Sequence, residues 1–299
     1  MRASFPRSAL PSELFMTLIA LLWGSAFPIT RVLLREMPPL GAAAWRTALA
    51  ASAVLVVIVV RGEVGGLLVR RADAGRLAVV ALLGGAFFVI SMNLGIFLTG
   101  ASITSFVTGL YPILAVVLAG LFFGEPVRRR AVVALSVAAV GLMLLARPGG
   151  AHVDLLGVAA GLGAAFSFAL YLSLARRWVH AERMPPLTIA FALLLSSVLV
   201  AGIGQAVVDP SGLALSLSGA GWAALLWLAL PASALPHVLV IATLRRLPAG
   251  RAAPFLLLMP ISGTVIAAAL LGERLDLVQL AGAGLILAGI GAATLRRGA

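Results

Sequence analysis

The chain has 299 residues, of which 62% are hydrophobic and 11% charged. A soluble domain holds about 45–50% apolar and about 25% charged residues, so this composition excludes a soluble fold and leaves length for about ten apolar spans of roughly 20 residues. The net charge is +12, all 22 basic residues are arginine and there is no cysteine, which excludes disulfides, iron–sulfur and thiolate-zinc sites, a Schiff-base lysine, a Ser–Lys dyad and a Walker-type phosphate loop.

Apolar stretches bounded by Arg, Pro or acidic residues predict spans at 13–35, 39–60, 75–99, 102–124, 129–146, 154–177, 186–208, 219–244, 250–272 and 276–295. The first follows Arg2 and Arg7, as a signal peptide would. It is longer than an h-region, has no small-residue cleavage site and leads straight into a second span, so a retained helix is expected. Alternating the spans places Arg35, Arg147 and Arg274 on one side, Arg31 and Arg46 within spans, and the other seventeen arginines on the side of both termini. The positive-inside rule then predicts cytoplasmic termini and an even span count. The charge reads as topology with some attraction to anionic lipid, and no nucleic-acid partner is expected.

Met-Pro-Pro-Leu occurs at 37–40 and again at 184–187, and Pro112, Gly124–Glu125 and Gly141 match Pro260, Gly272–Glu273 and Gly289 at an offset of 148. Residues 13–146 and 154–295 are therefore expected to be two copies of five spans each. An odd number inverts the second copy, an architecture of secondary transporters with the solute site near the midplane. Chance similarity of Leu/Ala/Gly-rich helices is the alternative, and the near-constant offset favours a repeat.

All ten acidic residues fall at span ends or in loops, so no mid-membrane carboxylate marks a cation or proton path. His237 is the one central group that titrates near neutrality, and a neutral hydrogen-bonding role is expected for it over a coupling role. Arg46 is expected to snorkel or to bond helix-end carbonyls rather than to attract a substrate carboxylate. Pro28, Pro112, Pro231, Pro236, Pro254 and Pro260 interrupt spans, and Pro112 and Pro260 fall at equivalent places in the two halves. Each removes a backbone donor, so Pro28, Pro112, Pro231, Pro236 and Pro260 are candidate kinks or gates.

Polar and aromatic residues recur at one level. Trp23, Phe27, Asn93, Tyr111, Phe166, Phe168, Tyr171, Trp227, His237 and Met259 are the candidate cavity-lining residues. Aromatic faces, a thioether and neutral polar groups suit a small, partly apolar solute, whereas a phosphate-rich one would need several central cations. Ala134–Ala138 and Gly284–Ala288–Ala292 give spans 5 and 10 small residues at four-residue spacing, for packing within the bundle or in a dimer. No metal or cofactor is expected, and the chain carries no HExxH pair or acidic intramembrane dyad, which sets an enzyme or receptor aside.

Trp23–Gly24–Ser25–Ala26–Phe27, Arg46, Tyr111–Pro112 through Gly124–Glu125, and Met259–Pro260 through Gly272–Glu273 resemble the drug/metabolite transporter superfamily in its ten-helix EamA-type branch. Within it the chain is similar to YddG-type amino-acid exporters. The resemblance spans the whole chain and implies an all-α membrane protein of ten transmembrane helices in two inverted repeats. It also implies that helices 1, 3, 4, 6, 8 and 9 surround a central cavity, with 5 and 10 outside. The second copy departs from the pattern, with Leu193 where Arg46 would repeat and Phe168 for the tryptophan. The resulting expectation is a bacterial inner-membrane exporter, monomeric or homodimeric, of neutral or aromatic amino acids, working by alternating access as a passive carrier or exchanger. Helices 4 and 9, with 3 and 8, are the expected gates. Drug or organic-cation efflux is the alternative.

Overall fold

The computed structural model describes residues 12–124, 129–145, 153–178, 184–244, 255–256 and 258–294. Arg147, His152, His180, Glu125 and Pro254 lie outside the described residues. In chain order the helices are α1 (Ser12–Leu33), α2 (Pro39–Val60) and α3 (Arg71–Thr99), the last holding a π-turn at Leu82–Phe87. There follow α4 (Ala101–Thr108 and Tyr111–Phe123), α5 (Arg129–Leu145), α6 (Leu155–Trp178) and α7 (Pro186–Val208). Next is α8, which runs from Gly219–Ala229 through a π-turn at Leu230–Ala234 into Leu235–Leu244. The last two are α9 (Leu258–Leu271) and α10 (Leu277–Thr294). There is no strand among the described residues.

Seven of these helices are long and apolar enough to cross a membrane, and Val132–Leu145, Leu258–Leu271 and Leu277–Ala292 are shorter apolar helices. Large apolar side chains also face outward: Leu121 is 74% exposed and Met143 73%. A surface of this kind is stable against lipid tails, not water.

The repeated Met-Pro-Pro-Leu starts a helix each time. Pro38 (φ −67°, ψ 157°) precedes Pro39 at the head of α2, and Pro185 (φ −58°, ψ 139°) precedes Pro186 at the head of α7. A first-turn proline loses no helical hydrogen bond there, and its φ already suits a helix.

Helix pairing follows one pattern. α1 packs on α8 and α9, α6 packs on α3 and α4, α2 packs on α7, and α5 packs on α10. Adding five to each helix number, cyclically, returns the same set. The two π-turns obey the same relation, since Leu82 and Leu230 are 148 residues apart. So do Gly124 (φ 66°) and Gly272 (φ 68°), each just after a helix end, where a left-handed backbone favours glycine.

The α5–α10 contact corrects part of the small-residue reading. A Cβ on Gly141 would lie 2.6 Å from the Gly282 carbonyl, and one on Gly289 would lie 2.7 Å from that of Ala134. Ala134 and Ala138 are buried, so the expected stripe on α5 is used. On α10 the contact runs through Gly282 and Gly289, while Gly284, Ala288 and Ala292 face outward. Helical rotation separates the two faces.

Helices α4, α6, α8 and α10 start at the end of the bundle away from residue 12, called here the distal end. Asp154 accepts from the backbone of Leu156 and Gly157, and Asp276 from that of Val278 and Gln279. Two further caps come from other segments. Glu36 accepts from Ser218 N and Oγ at the head of α8, both at 2.7 Å, and Glu273 accepts from Ala101 N and Ser102 N at the head of α4. Carboxylates there satisfy orphan N–H groups and suit the positive end of the helix dipole.

Candidate functional site

Eight helices, α1 to α4 and α6 to α9, enclose a cavity at mid-height of the bundle; its space, the open mouth included, is about 710 Å³. The six expected helices contribute, and α2 and α7 also supply wall, through Arg46, Thr47, Leu193, Leu194 and Ser197. Helices α5 and α10 supply none.

Both π-turns line this space, with Gly84 and Gly85 in the α3 turn and Ala232 and Ser233 in the α8 turn. A π-turn widens the helix and disturbs its backbone bonding. In α3, side chains of neighbouring helices satisfy groups in and beside the turn. Ser196 Oγ shares its one proton between the Ala81 and Leu193 carbonyls, both at 2.7 Å, and accepts from Ala86 N at 3.3 Å, while Ser167 Oγ donates to the Leu83 carbonyl at 2.6 Å. A Cβ on Gly85 would overlap the Leu193 carbonyl, so glycine there lets α3 and α7 meet backbone to backbone.

In α8 the turn holds charge and polarity instead. Arg46 Nε donates to Ser233 Oγ at 2.9 Å. His237 Nδ1 lies 2.7 Å from the Ser233 carbonyl oxygen, which only accepts, so Nδ1 carries a proton. Trp23 stands edge-on to the His237 ring, with centroids 6.3 Å apart.

Part of the wall is aromatic. Phe168 packs on Phe88 at 4.7 Å and on Tyr111 at 4.9 Å between centroids, the latter edge to face. Tyr171 backs Phe168 at 5.3 Å. Such geometries suit the ring quadrupoles and fix a rigid apolar surface.

Six of the expected residues meet in the cavity wall: Trp23, Phe27, Tyr111, Phe168, His237 and Met259. Four do not. Phe166 is 45% exposed, because two positions along a helix turn the side chain by about 200° away from Phe168. Trp227 lies outward and donates from Nε1 to Ser25 Oγ at 3.0 Å. Tyr171 sits behind the wall. Asn93 is buried and donates from Nδ2 to the Pro39 carbonyl at 3.1 Å, tying α3 to the head of α2.

Among the prolines, Pro231 lies inside the α8 π-turn and Pro236 just after it. Pro112 follows the Gly109–Leu110 turn that divides α4, Pro28 lies inside unbroken α1, and Pro260 is in the first turn of α9. Arg46 departs from its expectation. It is 6% exposed, lines the cavity and bonds a serine hydroxyl, not a helix-end carbonyl. Gly84, Gly85 and Ser197 line the cavity and Ser196 braces the α3 turn, although none of them is among the expected site residues. A glycine pair in span 3 and a serine pair midway along span 7 are the signals the sequence offers.

No described carboxylate lines the cavity, and no group of His, Asp and Glu suited to a metal occurs among the described residues. One cation, hydroxyls and aromatic faces can hold a solute with an apolar body and an electron-rich polar end.

The sequence profile of the EamA-like transporter family matches residues 10–147 and again residues 155–295. A probable amino-acid metabolite efflux pump of Salmonella typhimurium is 29% identical over 91% of each chain. One of the same description from Escherichia coli is 27% identical, also over 91% of each chain. An uncharacterized transporter of Archaeoglobus fulgidus is 24% identical over 92% of this chain and 95% of its own. A crystal structure with 20% identity superposes at a TM-score of 0.66, covering 95% of this chain and 96% of that one.

Proposed function

Because this chain belongs to the EamA-like transporter family, we propose that it exports small organic metabolites, chiefly neutral and aromatic amino acids, by alternating access. Membership makes it a multi-pass membrane transporter, not an enzyme. The substrate reading draws on the two efflux pumps named for amino-acid metabolites and on the aromatic cavity. The observation that carries it is that the Phe88–Phe168–Tyr111 cluster lines one central space together with Arg46, Ser233 and His237.

In this reading all ten helices span the inner membrane of a bacterium, with both termini cytoplasmic. Residues 13–146 and 154–295 form inverted five-helix repeats. The five-helix shift in packing and the paired π-turns support that symmetry. The distal end is then the outer one. It is tied by Glu36 to α8, by Glu273 to α4 and by Arg31, which donates to the Ile96 and Phe97 carbonyls. Release of solute outward breaks these ties, and the π-turns of α3 and α8 are the places where those helices bend. Pro231 and Pro236 sit in and just after the α8 bend, and Pro112 just after the separate break in α4.

The test is flux of labelled amino acids in proteoliposomes, with and without a pH gradient. Aromatic amino acids are expected to exchange across the bilayer without a gradient. No flux above empty liposomes over a broad amino-acid panel sinks the substrate reading. Gradient-dependent flux of organic cations instead favours drug efflux.

A further inference from the structure

Arg46 has no counterion within the described cavity wall. Its Nε is bonded to Ser233, and its Nη1 is buried without a partner among the described residues. A guanidinium stays protonated in proteins, and a buried charge left unpaired is costly. Arg31 provides the contrast, since it sits against the carbonyls of Ile96 and Phe97 as a structural arginine does. Arg46 instead lines the central cavity, whose described wall supplies no carbonyl or carboxylate bond to that Nη1.

Two more donors line that space. Thr108 Oγ1 and Ser197 Oγ are buried and have no partner among the described residues, although helical hydroxyls commonly bond back to a carbonyl of the preceding turn. Three unsatisfied polar groups in one apolar cavity leave room for a ligand with several strong acceptors on one end. A carboxylate provides them and matches the guanidinium fork. An ammonium group meets no carboxylate in the described wall.

We infer that the cavity selects a single carboxylate on an apolar or aromatic body, held by Arg46 with Thr108 and Ser197, and does not require an α-ammonium group. This rests on the transport reading for the role of the cavity, and it extends the substrate class from amino acids to aromatic monocarboxylates. It also opposes organic cations as substrates.

Binding to the purified full chain is measured by thermal shift and titration calorimetry with three probes: L-phenylalanine, 3-phenylpropionate and phenethylamine. The first two are expected to bind and compete, and phenethylamine to bind at least about tenfold more weakly, as loss of a charge-assisted contact implies. Arg46→Gln should erase that preference and Arg46→Lys keep part of it. Should Arg46→Gln fail to fold, Thr108→Val and Ser197→Ala should each weaken 3-phenylpropionate severalfold. Equal or tighter binding of phenethylamine, no binding of any probe, or an unchanged preference in Arg46→Gln overturns the inference. Carboxylate binding without proteoliposome flux overturns the transport reading and leaves this one standing. Flux of phenethylamine does the reverse.

Discussion

Glu273 accepts both the backbone N–H and the hydroxyl of Ser102, at 2.9 and 2.8 Å, and so joins the segment before α10 to the head of α4. The same carboxylate accepts from Ala101 N at 3.0 Å. Replacing it removes three bonds and strands helix N-terminal donors. Glu273→Ala is expected to lower stability by about 1–3 kcal/mol, as for other lost charged caps. Glu273→Gln should cost less, because an amide oxygen still accepts. Thermal midpoints of the purified variants check both.

Glu36 makes the corresponding tie to α8, and it titrates. Its pKa is lowered from the ordinary 4.5, first by the Ser218 backbone N–H and then by the Ser218 hydroxyl. A folded-state pKa below the unfolded one means the tie contributes fully above 4.5 and is lost as pH falls through the lowered value. The wild-type midpoint should therefore fall on acidification below pH 4.5 more steeply than that of Glu36→Gln. Parallel curves would show that the tie contributes nothing. Distal opening should respond likewise, with efflux less sensitive to external acid in the variant.

Ser196 is the side chain on which the α3 π-turn depends most. Its hydroxyl lies 2.7 Å from both the Ala81 and the Leu193 carbonyls and accepts from Ala86 N, so Ser196→Ala removes a polar bridge between α7 and the π-turn. About 1–3 kcal/mol of destabilisation is expected. Gly85→Val should do more harm, because even a Cβ overlaps the Leu193 carbonyl. Yield and thermal midpoint are the measurements, and Ser136→Ala, an exposed hydroxyl on α5, is the control.

These cases separate what a sequence displays from what it hides. Apolar runs place the helices well because helix length is set by bilayer thickness. The Met-Pro-Pro-Leu copies are legible because proline constrains only its own neighbourhood. The bend in α8 is announced by Pro231, but its counterpart in α3 has no proline and rests on Gly84–Gly85 and on Ser196 from a distant helix. Side-chain direction is hidden in the same way. Phe166 and Phe168 look equivalent in the chain, and only the rotation of α6 sends one to the cavity and the other outward. For Arg46 the depth in span 2 was readable. The inward orientation was not, since it depends on Ser233, 187 residues away.

Gly141 and Gly284 make that distinction testable on α5 and α10. A Cβ at Gly141 meets the Gly282 carbonyl at 2.6 Å, whereas one at Gly284 meets nothing within 4 Å. Gly141→Leu is expected to separate the two helices and destabilise by several kcal/mol, as overpacking at a backbone contact does. Gly284→Leu should leave the midpoint within about 0.5 kcal/mol of wild type. Destabilisation by Gly284→Leu that appears only at high protein concentration would place a dimer contact on that face of α10.

Phe168 is the ring on which the aromatic wall is centred, touching Phe88, Tyr111 and Tyr171. In the proposed two-repeat arrangement its position corresponds to that of Trp23, and both line the cavity. Phe168→Ala removes the central face of the apolar wall and leaves Arg46, Thr108 and Ser197 untouched. Affinity for an aromatic carboxylate should fall by about 0.5–1.5 kcal/mol, the scale of one lost aromatic pair. Affinity for a short aliphatic carboxylate should change far less, because the polar end is read elsewhere. A parallel loss for both ligands would mean that Phe168 supports the fold of the cavity and not the body of the solute. Competition binding with 3-phenylpropionate and propionate on the two proteins decides between these outcomes.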